Sequence, residues 1–220
     1  MKNISFKSNI NFVSSKKFFR KFKKGQYIDE EKDQTVSDEF YTMNVATCTA
    51  GGIIIPHKKA YGFHFSDSRS YVFANSASTE YNEEARGLII GSKQRIHRPY
   101  SIQNFVEMQK FMLKEMRNLS VFQQHRYSKE HTNFHYSLKD DTWTINTRFQ
   151  ELGRSIEVLD LKSLVNAFKT IKIAKGDRLF LDGKEVTVKD FPVIFEEGNE
   201  KNGKLQNLFG KFAIGIMRIL

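Results

Sequence analysis

A single thiol sets the chemical question in this 220-residue chain. Cys48 lies in Val45-Ala46-Thr47-Cys48-Thr49-Ala50-Gly51-Gly52, with small residues on both sides. A thiol is a nucleophile only as thiolate, and a neighbouring imidazole is the usual means of ionising it. His64 is the candidate imidazole, in Ala60-Tyr61-Gly62-Phe63-His64-Phe65. Strand alternation puts Ala60, Gly62 and His64 on one face, where small neighbours leave room for a ligand. Two antiparallel strands joined by a short turn bring residues at their far ends together, so Cys48 can meet His64 across a hairpin. Small residues beside the thiol let a substrate approach and let backbone N–H groups face a developing oxyanion. The same residue types also suit a buried small hydrophobe and a core histidine with a polar partner.

The elements that must position this pair are readable. Gly52-Ile53-Ile54-Ile55 is a β-branched run stopped by Pro56 and turned at His57-Lys58-Lys59, and the chain returns through Ala60 to Phe65. Leu88-Ile89-Ile90-Gly91 reads as a short strand. Ser101 can cap a helix carrying Ile102, Phe105, Val106, Met108, Met112, Leu113 and Met116, mostly at three- and four-residue steps. Phe134 to Arg148 alternates as a hairpin turning at Lys139-Asp140-Asp141. Asp160 opens a second amphipathic helix through Leu161, Leu164, Val165, Phe168 and Ile171. Arg178 to Val188 is a hairpin around Asp182-Gly183, a pair suited to the positive φ angles of a type I′ turn. The sum is an α+β fold: a β-rich, sandwich-like core with two or so amphipathic helices packed against it. The sequence divides into a basic, partly flexible N-terminal extension, residues 1–38, and a catalytic domain, residues 39–220.

The stretch Thr42-Met43-Asn44-Val45-Ala46-Thr47-Cys48 resembles the active-site strand of the CheD chemoreceptor glutamine deamidases, in which a threonine precedes the nucleophilic cysteine by six residues. An apolar strand, a Pro-x-x-Lys turn at Pro56 to Lys59, Gly62 and His64 continue the likeness. A similar Cys–His arrangement recurs in the catalytic domain of cytotoxic necrotizing factor. The resemblance covers about Tyr41 to Phe65, with the Cys-to-His spacing one residue shorter. It implies a protein glutamine deamidase, with Cys48 as nucleophile, His64 as general base and Thr42 fixing the imidazole. Backbone N–H groups of Cys48 and Thr49 would form the oxyanion hole. Asp67 is the alternative orienting group. No cofactor or metal is implied; the partner is a protein carrying a reactive glutamine. An effector or toxin-like enzyme suits the helices and the basic segment. A transglutaminase or small-molecule amidase is a Cys hydrolase of different outcome.

Composition narrows the rest. One cysteine admits no internal disulfide and suits a reducing compartment. The first 25 residues lack the apolar run of a secretory signal, so the expected location is the cytoplasm, or a host cytosol reached without such a signal. Of the net charge of +10, eight cations precede the first acid, Asp29. The run Lys16 to Lys24 interleaves Phe18, Phe19 and Phe22 with Lys and Arg, which suits an anionic membrane or an acidic partner. The remainder is near neutral, which makes nucleic acid an unlikely partner of the folded body. A non-catalytic binding module using this basic-aromatic segment is the rival reading. His125, Glu130, His131 and His135 cluster in sequence, but their neighbours favour strand or loop over a metal-binding helix. His57 and His97 read as turn and loop residues, and Trp143 as core.

Overall fold

The computed structural model describes residues 8–21, 25–29, 34–56, 59–65, 85–91, 100–116, 118–124 and 131–187. His57, His97, His125, Glu130 and Asp67 lie outside them, as do residues 22–24 at the end of the basic run. The described residues form a mixed, mostly β structure of two sheets and three short helices.

The first sheet contains β1 (Asn9–Phe12), β2 (Gln26–Tyr27), β4 (Glu39–Val45), β9 (His131–Ser137), β10 (Thr142–Glu151), β11 (Arg154–Glu157), β13 (Arg178–Leu181) and β14 (Lys184–Val186). Its order is β14-β13-β1-β10-β9-β4-β2, with β11 on β10. The second contains β3 (Gln34–Val36), β5 (Thr49–Ile55), β6 (Lys59–Phe65), β7 (Arg86–Gly91), β8 (Asn118–Gln124) and β12 (Phe168–Lys172), in the order β12-β8-β7-β5-β6-β3. The helices are α1 (Ser15–Lys21), α2 (Tyr100–Glu115) and α3 (Leu161–Ala167).

One apolar layer lies between the sheets, with Phe40, Phe134, Tyr136 and Trp143 from the first meeting Ala50, Ile54, Leu88 and Phe122 from the second. A second layer packs Ile53, Phe63, Phe65 and Ile89 against Phe105, Met108 and Met112 of α2. β5 is therefore covered on both faces. That burial explains why it reads as an unbroken run of glycine and isoleucine rather than an alternation.

Three expectations change. The N-terminal extension is not separate: β1 runs parallel between β10 and β13, with Ile10 and Phe12 fully buried. α1 likewise buries Phe18. Residues 9–21 are thus built into the first sheet, and no boundary falls at residue 38. Second, the helix opened by Asp160 ends at Ala167. Its capping box is present, Ser163 N donating to Asp160 Oδ1 at 2.8 Å. Phe168 turns extended at φ −119° and begins β12, which pairs with β8. β-branched Thr170 and Ile171 suit a strand better than another helical turn. Third, α2 starts at Tyr100, so Ser101 is inside the helix rather than its cap.

Candidate functional site

β4 ends in a bulge. Its register on β9 shifts between Thr42 and Val45, and Asn44 sits at φ 59°. The extra residue changes the parity of the strand, so that Thr42 and Val45 both face inward. Asn133 accepts the Asn44 N–H through Oδ1 at 2.9 Å, and Gln124 Nε2 donates to the Val45 carbonyl at 3.0 Å. Two side chains from β9 and β8 thus hold the backbone from which Ala46, Thr47 and Cys48 cross to the second sheet. Neither Asn133 nor Gln124 carries a signal in the sequence that marks it for this role.

Cys48 precedes the first ladder pair of β5 and β6, Thr49 opposite Phe65; Ala50 then faces His64. Cys48 is two residues from Ala50 and joins it in the layer between the sheets. It therefore lies one residue before the ladder and two residues before the position opposite His64. Both residues are buried, Cys48 at 5% and His64 at 3% exposure.

Thr42 completes the group from the opposite sheet. Its Oγ1 donates to the carbonyl of Ile28 at 2.6 Å and lies 2.7 Å from His64 Nδ1. A hydroxyl has one proton. With that proton on Ile28 O, the bond to the ring requires Nδ1–H as donor and Thr42 Oγ1 as acceptor. The neutral imidazole then carries its lone pair on Nε2, the nitrogen a general base needs. Ile28 was invisible to sequence reasoning because it contributes a main-chain carbonyl, which every residue has.

Two expectations about the site are altered. The small residues on the His64 face do not leave space. A methyl group added at Gly62 would lie 2.3 Å from Ile28 Cδ1 and 2.6 Å from Phe40 Cδ2, and one at Gly52 would lie 2.9 Å from Phe40 and Trp143. Aromatic side chains of the first sheet occupy that volume. The Thr49 N–H is also committed. A methyl on Gly91 would fall 2.2 Å from the Cys48 carbonyl oxygen, so that carbonyl points at β7. A trans peptide aims its N–H the other way, which sends the Thr49 N–H toward β6, where Phe65 is its partner in the ladder. The Thr49 side chain follows the parity of Gly51 and Ile53, on the α2 side, away from His64.

Two other histidines are among the described residues. His131 is exposed at the start of β9, and His135 lies in the same strand with Nε2 2.8 Å from Glu39 Oε1. Among the described residues no cluster of three or more His, Cys, Asp or Glu side chains could hold a metal.

A second polar cluster lies at the far end of the sandwich and was not foreseen. Arg86 at the start of β7 is paired with Asp141 and lies 3.8 Å from Asp177. Ser120 donates to Asp177 Oδ2 at 2.8 Å, the Ser8 N–H to its Oδ1 at 3.2 Å, and Tyr136 to Asp141 at 3.2 Å. Burial raises the Asp177 carboxyl to about 6, against the lowering effect of Ser120 and Arg86. Tyr136 is also raised, first by burial and then by Asp141. An arginine opening the apolar strand Gly87-Leu88-Ile89-Ile90 was the one available signal.

No protein-family model matches this chain, and no curated protein matches it. No helix among the described residues is long and apolar enough to cross a membrane.

Proposed function

We propose that this chain is a Cys–His hydrolase that converts a glutamine side chain of a protein substrate to glutamate. The observation that carries the reading is the chain Ile28 O, Thr42 Oγ1, His64 Nδ1, which directs the lone pair to Nε2 in the layer that also holds Cys48. The orienting role of Thr42 is the one its place in the CheD-like stretch implies.

In the proposed course, His64 Nε2 takes the thiol proton and the thiolate attacks the carboxamide carbon. The carbonyl oxygen becomes an oxyanion, the charge that backbone N–H groups beside the nucleophile stabilise in the resembling enzymes. Collapse breaks the C–N bond, and the imidazolium gives its proton to the departing nitrogen, releasing ammonia. Water then attacks the thioester, His64 takes its proton, and the C–S bond breaks to give the carboxylate and regenerate the thiol. Thr42 accepts from Nδ1–H throughout and stabilises the imidazolium. A single cysteine suits action in a reducing cytosol, that of the chain's own cell or of a host reached by export.

A non-catalytic binding module is the second reading, favoured by the burial of both Cys48 and His64. Intact-mass analysis of glutamine-containing proteins and peptides, with ammonia release measured in parallel, separates the two. Amide-to-acid conversion that disappears in Cys48→Ser supports the hydrolase. A mass increase by an added amine would make the chain a transglutaminase. No conversion, with Cys48 unreactive toward iodoacetamide across the pH range, would leave the binding module.

A further inference from the structure

Leu152 is 98% exposed and has φ 49°. With Gly153, at φ 77°, it forms the turn joining β10 to β11. The chain contains a close parallel at the turn joining β13 to β14, where Asp182 and Gly183 have φ 50° and 90°. There the first position carries Asp, a residue that tolerates left-handed backbone. A leucine at the equivalent place meets the steric cost of that conformation and buries nothing. Neither stability nor turn formation accounts for it.

The positive charge near this tip comes from α1. β1, β10 and β13 run parallel, so α1 and both turns lie at one end of the first sheet. The Ser15 N–H donates to Glu157 Oε1 at 2.8 Å, fixing α1 to the base of the β10–β11 hairpin. Lys17 Nζ lies 2.6 Å from Asp182 and fixes the other flank. α1 exposes Lys16, Arg20 and Phe19, the last at 50%, while in the hairpin Arg154 is opposite Glu151 next to the tip and Arg148 is opposite Glu157 at the base. Two apolar side chains therefore stand on separate projections, Phe19 among the cations of α1 and Leu152 on the neighbouring hairpin. A protein partner would need a matching pocket for each, whereas a bilayer interface admits isolated apolar groups and attracts cations through anionic lipid.

We propose that the end of the sandwich built from α1 and the β10–β11 hairpin docks on an anionic membrane surface, with Leu152 entering the headgroup region. The docking stands whether or not Cys48 is catalytic. Thr147 of β10 and Val45 of β4 both pair with Thr132, so the Cys48 segment lies toward this same end. Membrane-associated proteins then become the substrate class, a step that does rest on the deamidase reading.

Co-sedimentation of the full chain with phosphatidylcholine vesicles, with and without phosphatidylserine, tests the docking. Binding is expected only with phosphatidylserine, falling steeply by about 0.5 M salt. Leu152→Asn should lower partitioning about tenfold, and Lys16→Glu with Arg20→Glu by at least as much. Leu152→Asn should melt at or above wild type, since asparagine suits the turn, so lost binding cannot be ascribed to unfolding. Absence of binding to the anionic vesicles, equal binding to neutral ones, or variants that bind like wild type would each overturn the proposal. Self-association abolished by Leu152→Asn, without vesicle binding, would assign the surface to a second copy instead.

Discussion

Replacing Thr42 by valine tests the site most directly, because valine keeps the shape and removes only the hydroxyl. Thr42 is fully buried, and its Oγ1 serves both Ile28 O at 2.6 Å and His64 Nδ1 at 2.7 Å. Thr42→Val leaves a carbonyl and a ring N–H without these partners in a dry layer, at about 1–3 kcal/mol each. A total of about 2–6 kcal/mol corresponds to a fall in Tm of roughly 4–24 °C for a chain of this size. The chemical effect is separate. A hydrogen bond to a charged imidazolium contributes about 1.5–3 kcal/mol, so its loss disfavours the thiolate–imidazolium pair by about tenfold to a hundredfold. Iodoacetamide labelling of Cys48 across pH reads this directly, since only the thiolate reacts. In Thr42→Val the rate at neutral pH should fall by about that factor and the inflection should move upward. Thr42→Ser keeps both hydrogen bonds and should label within about twofold of wild type despite losing a methyl group. A valine variant that remains folded and labels like wild type would mean that the orientation of His64 does not matter to the thiol. The reasoning from Thr42 to catalysis would then fail.

Other outcomes follow from the same geometry. Cys48→Ser and His64→Ala should each abolish conversion of a glutamine substrate; because Cys48 is buried in the core, Cys48→Ser should also lose about 1–2 kcal/mol in a urea titration. Removing residues 1–25 takes out β1 from between β10 and β13, so the truncated chain should show no cooperative thermal transition; a normal melt would contradict the central place of β1. Asp177 has a folded value near 6, above the unfolded carboxylate. The folded state therefore holds the extra proton, and this contribution is full below about pH 4 and lost as pH rises through 6, by about 3 kcal/mol. Urea midpoints of wild type and Asp177→Asn should diverge across that window; parallel curves would show that Asp177 is not the group responsible.

What the sequence disclosed depended on whether a signal was local. The β5–β6 hairpin announced itself through the Gly-Gly-Ile-Ile-Ile run and Pro56, the β13–β14 turn through Asp182-Gly183, and the start of α3 through Asp160 and the apolar spacing of Leu161, Leu164 and Val165. Each is decided within a few residues. β1 is not: its partners β10 and β13 are more than a hundred residues away, both pairings are parallel, and the lysines that follow dominate the local composition. The misplaced boundary at residue 38 came from that. β12 failed differently, because Phe168 and Ile171 continue the helical spacing of Leu161, Leu164 and Val165, and the open edge of β8 decides the matter. In the site, side chains were legible and backbone was not. Thr42, Cys48 and His64 could be singled out, but the Asn44 bulge, the Ile28 carbonyl and the direction of the Thr49 N–H depend on how two sheets meet.

The small residues around the pair illustrate this most clearly. Gly52 and Gly62 face one another across β5 and β6, and the volume their missing side chains would fill is taken by Phe40, Trp143 and Ile28. Read along one strand, such residues signify space for a ligand. Read across the sandwich, they let the sheets approach closely. That approach is what makes the candidate site, because Thr42 and His64 belong to different sheets and a 2.7 Å bond between them fixes the inter-sheet distance at that point. Larger side chains at Gly52 or Gly62 would hold the sheets apart, pushing Ile28 and Phe40 away from β6. Ile28 supplies the carbonyl that takes the Thr42 proton, so its displacement would release that proton and with it the tautomer of His64. The glycines thus act on the imidazole without touching it, through the packing that joins the two sheets.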